Sequence, residues 1–324
     1  MPILKSTYNP KFPFTNTHFN TIFRTFFTNP KVNYKRERLE LEDGDFMDLD
    51  YSKNGSDTIV IALHGLEGSS SSRYILSMAE HLNQQKIDVV AVNFRGCSGH
   101  ENRLFSSYHS GKSEDLEAVI HYIGKQQQYK NILLLGYSLG GNMTLKYLGE
   151  KGKDIPSQIK CAIAISPPCD LASSAAELAK KSNYIYMQRF LKTLKSKTLS
   201  KLETYPTSIL TKETIESAKN FYDYDNLYTA PAHGFKNAED YWQKASSKQF
   251  LKNISVPTLL ISSYDDTFLS HDCIPSEIAE NHEFLSLETT KFGGHVGYNS
   301  KLTNKNGNWL EKRVIQFLKK NISQ

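Results

Sequence analysis

Ile132-Leu133-Leu134-Leu135-Gly136-Tyr137-Ser138-Leu139-Gly140-Gly141-Asn142-Met143-Thr144-Leu145 runs from an apolar, strand-sized segment into a helical one without a break. Two glycines bracket Ser138 in a G-x-S-x-G. That five-residue pattern is weak alone, and its flanks give it meaning. A serine on a sharp strand-to-helix turn carries a strained backbone and an exposed hydroxyl. The glycines are needed because a Cβ there would collide with the neighbouring chain. A serine that merely caps a helix is the bland alternative, and the context disfavours it.

Outward from this turn, strands and helices alternate. Residues 58–63, 89–94, 162–166, 257–263 and 284–288 are short apolar runs. Between the early ones, Ile75, Met78, Ala79 and Leu82, then Leu116, Val119, Ile120 and Ile123, recur at helical spacing. Strands this apolar are buried on both faces, which predicts an α/β fold with a mostly parallel central sheet and helices on both sides. Upstream, the alternation in Arg36-Glu37-Arg38-Leu39-Glu40-Leu41-Glu42, the Asp43-Gly44 turn and the extended pattern of 46–51 predict a β-hairpin. Residues 1–34 predict an extension packed over the core, because Phe12, Phe14, Phe19, Phe23, Phe26 and Phe27 call for burial. Residues 171–245 are rich in Lys and Tyr and carry no convincing strand. They predict a helical cap inserted into a core made of 1–170 and 246–324.

A serine hydroxyl is a poor nucleophile unless a base takes its proton and a carboxylate orients that base. In a parallel sheet those partners belong in loops at the carboxyl ends of later strands. The run 257–263 is followed by Tyr264-Asp265-Asp266-Thr267-Phe268, and the run 284–288 by Lys291-Phe292-Gly293-Gly294-His295-Val296-Gly297. His295, free between glycines, is the candidate base. His81 and His121 fall on helices, His18 and His109 in surface or connector segments, His271 too soon after Asp266, and His282 before the last strand. Asp266 is favoured as the carboxylate because an apolar residue follows it after one position. Asp265 remains the alternative, otherwise a loop-capping group. Backbone amides of Leu139 and of Leu66, in His64-Gly65-Leu66-Glu67-Gly68, are the candidate oxyanion donors. His64 reads as a loop anchor.

The chain has 324 residues, with 39 Lys+Arg against 34 Asp+Glu for a net charge of +5. Aromatics at 11% exclude a disordered chain. So mild a positive excess, without clustering at a recognisable motif, points away from nucleic acid. The lysines around 192–197 read as a solvated helix face, remote from the triad and serving solubility. Cys97, Cys161, Cys169 and Cys273 show no CxxC spacing, so reduced thiols and a cytoplasmic location are expected. No run approaches the ~20 apolar residues of a membrane helix, and no signal-type segment opens the chain. Neither a metal site nor a cofactor is implied.

These residues together resemble the α/β-hydrolase superfamily, and more closely its YheT-like branch. The resemblance spans nearly the whole chain. It includes Asp43-Gly44-Asp45-Phe46-Met47-Asp48-Leu49-Asp50, His64-Gly65-Leu66-Glu67-Gly68, Asn93-Phe94-Arg95-Gly96-Cys97-Ser98-Gly99 and the Ser138 elbow. Pro231-Ala232-His233-Gly234-Phe235 and Gly293-Gly294-His295-Val296-Gly297 continue it. It implies Ser138, Asp266 and His295 as the charge-relay set, and carboxylester hydrolysis on lipid or short acyl esters. Thr267 stands where relatives often have proline. The N-terminal membrane anchor of animal relatives has no counterpart in the sequence, which weakens transfer of a membrane phospholipid substrate.

The expected activity is therefore that of a serine hydrolase on a small-molecule ester, lipid-like esters included. Alcohol acyl transfer or thioester hydrolysis with the same triad is the alternative. A non-catalytic binding protein on the same fold is the competing class. Dehalogenase and epoxide hydrolase chemistry is disfavoured, since those relatives place an aspartate where Ser138 stands.

Overall fold

The aliphatic runs pair edge to edge into one sheet in the computed structural model, which describes residues 3–206, 210–302 and 307–322. Nine strands are found among the described residues: β1 (Ile3–Lys5), β2 (Lys35–Glu40), β3 (Phe46–Ser52), β4 (Thr58–Leu63), β5 (Asp88–Asn93), β6 (Asn131–Tyr137), β7 (Ile159–Ile165), β8 (Thr258–Ser263) and β9 (Leu285–Thr290). Their order is β1-β9-β8-β7-β6-β4-β5-β3-β2. Pairing is parallel from β1 through β5 in that order, while the β2–β3 hairpin and the β3–β5 pair are antiparallel.

The central strands are apolar throughout because both faces are covered. In β4, Ile59, Ile61 and Leu63 join one core cluster with Leu116, Val119 and Ile123 of helix α3 (Ser113–Gly124). Val60 and Ala62 alternate into the opposite cluster, against Ile75, Met78 and Leu82 of α2 (Arg73–Gln84) and Leu310, Val314 and Leu318 of the C-terminal helix Trp309–Ile322.

The N-terminal stretch is more integrated than an overlying extension. β1 adds to the sheet edge alongside β9, with Ile3 opposite Leu287. The helix α1 (Thr17–Phe27) starts at Asn16, whose side chain accepts the Phe19 amide hydrogen. Of the phenylalanines expected inside, Phe14 and Phe23 are buried, but Phe12 is 84% exposed, Phe26 67% and Phe27 62%. The reason is helical geometry. Asn20, Phe23 and Arg24 take the inner face of α1, leaving Phe26 and Phe27 on its last turn in water. Arg24 is buried against Glu311 and donates from Nε to the Gly297 carbonyl at 3.1 Å.

Between β7 and β8 the described residues contain helices and no strand. These include α5 (Leu171–Leu178) and α6 (Tyr184–Thr204). They build a cluster of their own, with Met187, Leu191, Ile215 and Tyr228 packed on Phe268 from the loop after β8.

Candidate active site

Ser138 follows β6 and precedes α4 (Leu139–Lys151), with φ 50° and ψ −119°. A left-handed serine is strained, and it persists only where the surroundings dictate it. Here the surroundings are glycines. A Cβ on Gly136 would meet the Gly140 carbonyl oxygen at 2.2 Å, and one on Gly140 would meet the Leu63 carbonyl oxygen at 2.6 Å. Strand, turn and helix thus come closer than side chains permit, which is what holds the hydroxyl out.

The loops after β8 and β9 converge on this turn. His295 Nε2 lies 2.8 Å from Ser138 Oγ, and its Nδ1 lies 2.8 Å from Asp266 Oδ2. The second oxygen of Asp266 accepts the Phe268 amide hydrogen at 2.9 Å. Asp265 goes elsewhere: its Oδ1 accepts the Gly294 amide hydrogen at 2.9 Å, while Oδ2 is buried without a partner among the described residues. Burial raises the Asp265 carboxyl above the ordinary range.

Two features of this arrangement lie outside the residues expected from the sequence. The His295 amide donates to Thr21 Oγ1 at 2.9 Å, so α1, some 270 residues away in the chain, holds the histidine loop. A Cβ on Gly294 would strike the Thr17 carbonyl oxygen and Thr21 Oγ1, each at 2.5 Å, so this glycine is what allows α1 so close. The Phe268 ring stacks on the imidazole with centroids 4.4 Å apart. The Asp-x-apolar order was a partial signal for it, because the same residue supplies both the ring and the amide that fixes Asp266.

Over Ser138 lies the loop after β4, where a Cβ on Gly65 would sit 3.1 Å from Ser138 Cβ. Its amides are largely committed. Gly65 donates to the Tyr74 hydroxyl, Glu67 to the Tyr108 hydroxyl and Gly68 to the Gly65 carbonyl. Among these neighbours Leu66 is left with its amide free of a partner in the described residues. Leu139 opens α4, where a first-turn amide has no intrahelical acceptor. His64 anchors the loop: Nδ1 lies 2.7 Å from the Gly65 carbonyl oxygen, and Nε2 accepts the Phe94 amide hydrogen at 3.3 Å. Burial lowers its pKa to about 4, so the ring is neutral.

A cavity of about 500 Å³ opens above Ser138 and His295. Leu178, Phe190, Leu194, Tyr228 and Phe268 line it, together with Asp225. The carboxyl of Asp225 accepts from Trp242 Nε1 at 2.8 Å and is raised to about 6 by burial. His109, in the connector between β5 and α3, also reaches this cavity, and burial keeps it well below the usual imidazole range. Among the described residues no group of three or more His, Cys, Asp or Glu is placed to hold a metal ion.

A family model described as the alpha/beta hydrolase fold matches residues 58–283. The chain is an α/β-hydrolase. This α/β-hydrolase belongs to the YheT-like branch, being 33% identical over 311 residues to the protein designated esterase YheT in Escherichia coli, across 94% of this chain and 91% of that one. It is 28% identical over 327 residues to phospholipase ABHD3 of Bos taurus, across 98% of this chain and 79% of that one. The Pyrococcus furiosus esterase Pf2001 shares the fold, with a TM-score of 0.60 at 21% identity, covering 91% of this chain and 98% of that one. Relatives so designated support hydrolase activity for this α/β-hydrolase.

Proposed function

We propose that this chain hydrolyses carboxylic esters through an acyl-Ser138 intermediate, with His295 as base and acid and Asp266 as the carboxylate that orients it. What carries the reading is one line of contacts, Ser138 Oγ to His295 Nε2 at 2.8 Å and His295 Nδ1 to Asp266 Oδ2 at 2.8 Å, at the base of an apolar cavity. As Ser138 Oγ bonds to the ester carbonyl carbon, Nε2 takes the hydroxyl proton. The tetrahedral species then expels the alcohol, which leaves with that proton. A water next gives a proton to Nε2 and attacks the acyl carbon. The carboxylic acid departs as Ser138 recovers its hydrogen.

The amides of Leu66 and Leu139 receive the oxyanion in this account. Supporting Leu66 is its place as the uncommitted amide in a loop against Ser138. Residues 171–245 act as a cap on a core of 1–170 and 246–324, presenting apolar walls to the acyl chain. Names of relatives, esterase and phospholipase, favour an ester over an amide bond. Four unpaired, buried cysteines suit a reducing compartment, and we place the protein in the cytoplasm on that ground.

A fluorophosphonate probe tests the assignment. The wild-type chain becomes labelled and Ser138→Ala does not. An unlabelled wild type, or equal labelling of the variant, removes the nucleophile and the reading with it. Turnover of aryl esters from acetate to palmitate then ranks the acyl lengths the cavity accepts.

A further inference from the structure

Exposed residues of α1 and α6 border the cavity, as does Ser71 ahead of α2. Thr25 of α1 and Arg189 of α6 both line it and are both exposed. The helices touch nearby, where His18 Nδ1 and the Tyr186 hydroxyl are 3.1 Å apart. Thr193 and Leu194, within the lysine-bearing part of α6, also line the cavity, while Lys192 is exposed to solvent.

On the same two helices, large apolar side chains stand in water. On α1 these are Phe26 and Phe27, and on α6 Tyr184 and Ile185, the last 80% exposed. Helical spacing puts Phe26 one turn beyond Ile22, and Ile185 one turn before Arg189, so each continues a stripe that lines the cavity. Along the two stretches of chain that carry them the charge has one sign. Residues 1–36 contain no Asp or Glu, and none occurs between Glu177 and Glu203, a stretch with many lysines. Lys180 and Lys197 pair with carboxylates, whereas Lys181, Arg189 and Lys192 have no ion pair among the described residues.

We propose that this face docks on a bilayer surface rich in anionic lipid. Phe26 and Ile185 enter the interfacial layer and the free cations meet headgroup phosphates. A second copy of the chain would set these uncompensated cations against their own kind. A polyanion alone would leave the exposed apolar side chains without a partner. An anionic lipid surface satisfies both. The consequence, that an ester substrate passes from the lipid into the cavity, rests on the ester-hydrolysis reading; the docking itself does not.

Co-sedimentation of the full chain with phosphatidylglycerol/phosphatidylcholine vesicles tests this. The wild type and Ser138→Ala both bind, and binding falls in pure phosphatidylcholine and at raised salt. The Phe26→Ser/Ile185→Ser variant partitions about tenfold less and Lys192→Glu severalfold less. Both keep the wild-type rate on a water-soluble aryl acetate, which also shows that they are folded. No binding to the anionic vesicles, or equal binding by wild type and variants, overturns the proposal. So does self-association that these substitutions abolish in the absence of any lipid binding. Vesicle binding by a chain that hydrolyses no ester would instead defeat the reading of the active site and leave docking standing.

Discussion

Replacing Asp266 or Asp265 by Asn, one at a time, leaves side-chain size unchanged and separates two adjacent carboxylates by role. Asp266 uses both oxygens as acceptors, Oδ2 opposite His295 Nδ1 at 2.8 Å and Oδ1 for the Phe268 amide at 2.9 Å. An amide can accept at only one of these places. With its oxygen on the Phe268 amide, the side chain introduced by Asp266→Asn turns its NH₂ toward Nδ1, which must then be the unprotonated nitrogen. The proton moves to Nε2, where it faces Ser138 and cannot be replaced by the serine's own. Loss of the correct tautomer in a triad of this kind costs about 10⁴-fold in kcat, or about 5.5 kcal/mol of barrier. Asp265 predicts the opposite. Its Oδ1 takes the Gly294 amide hydrogen, which an asparagine oxygen still accepts, and the substitution removes a charge that burial disfavours. For Asp265→Asn, kcat stays within about threefold of wild type and the melting temperature is equal or higher. Steady-state kinetics on a short-chain aryl ester and thermal melts give both numbers. Equal losses at the two positions, or an Asp266→Asn enzyme retaining more than about 1% of kcat, would refute the reasoning.

Thr21→Val leaves the buried His295 amide without its acceptor, so stability falls by about 1–3 kcal/mol and kcat falls with it, while Thr21→Ser restores both; unchanged kinetics in the valine variant would deny α1 its positioning role. Asp225 holds its proton to about pH 6 in the fold against 3.8 ordinarily, so the native state binds more protons than the unfolded chain between those values. Stability therefore declines as pH rises through that window, by about 3 kcal/mol at most. Asp225→Asn keeps an acceptor for Trp242, removes this slope, and is the more stable form above pH 6; parallel denaturation curves across pH contradict it. Lys197 of α6 pairs at 2.9 Å with Glu67, whose side chain is buried beside the Leu66 loop. Lys197→Met leaves that carboxylate with the Tyr108 hydroxyl as donor but no cation beside it, and lowers kcat/KM for long-chain esters severalfold; a change confined to melting temperature would show the pair to be structural only.

What could be read ahead of the structure follows from how local each determinant is. The Ser138 turn was legible because strand, glycines and helix are contiguous, and their collision distances are met within a few residues. Asp266 and His295 were legible because parallel topology sends the loops after β8 and β9 to the same sheet edge as the loop after β6. Which of Asp265 and Asp266 faces the imidazole needed coordinates, since both sit in one turn. β1 and α1 were not legible in their roles. Three residues of strand have no pattern to recognise, and the contacts of Thr21 and Arg24 lie at the far end of the chain. Phe26 and Phe27 misled for a physical reason: the sequence shows apolar content, whereas helical phase decides which side of α1 is covered.

Rapid-quench mass spectrometry during turnover of an aryl ester is the most direct measure of the central claim. The account predicts a peptide carrying Ser138 heavier by the acyl group, formed in a burst, absent in Ser138→Ala, and persisting longer in Asp266→Asn. Full hydrolysis with no adduct on that peptide, or an adduct on another residue, would contradict it.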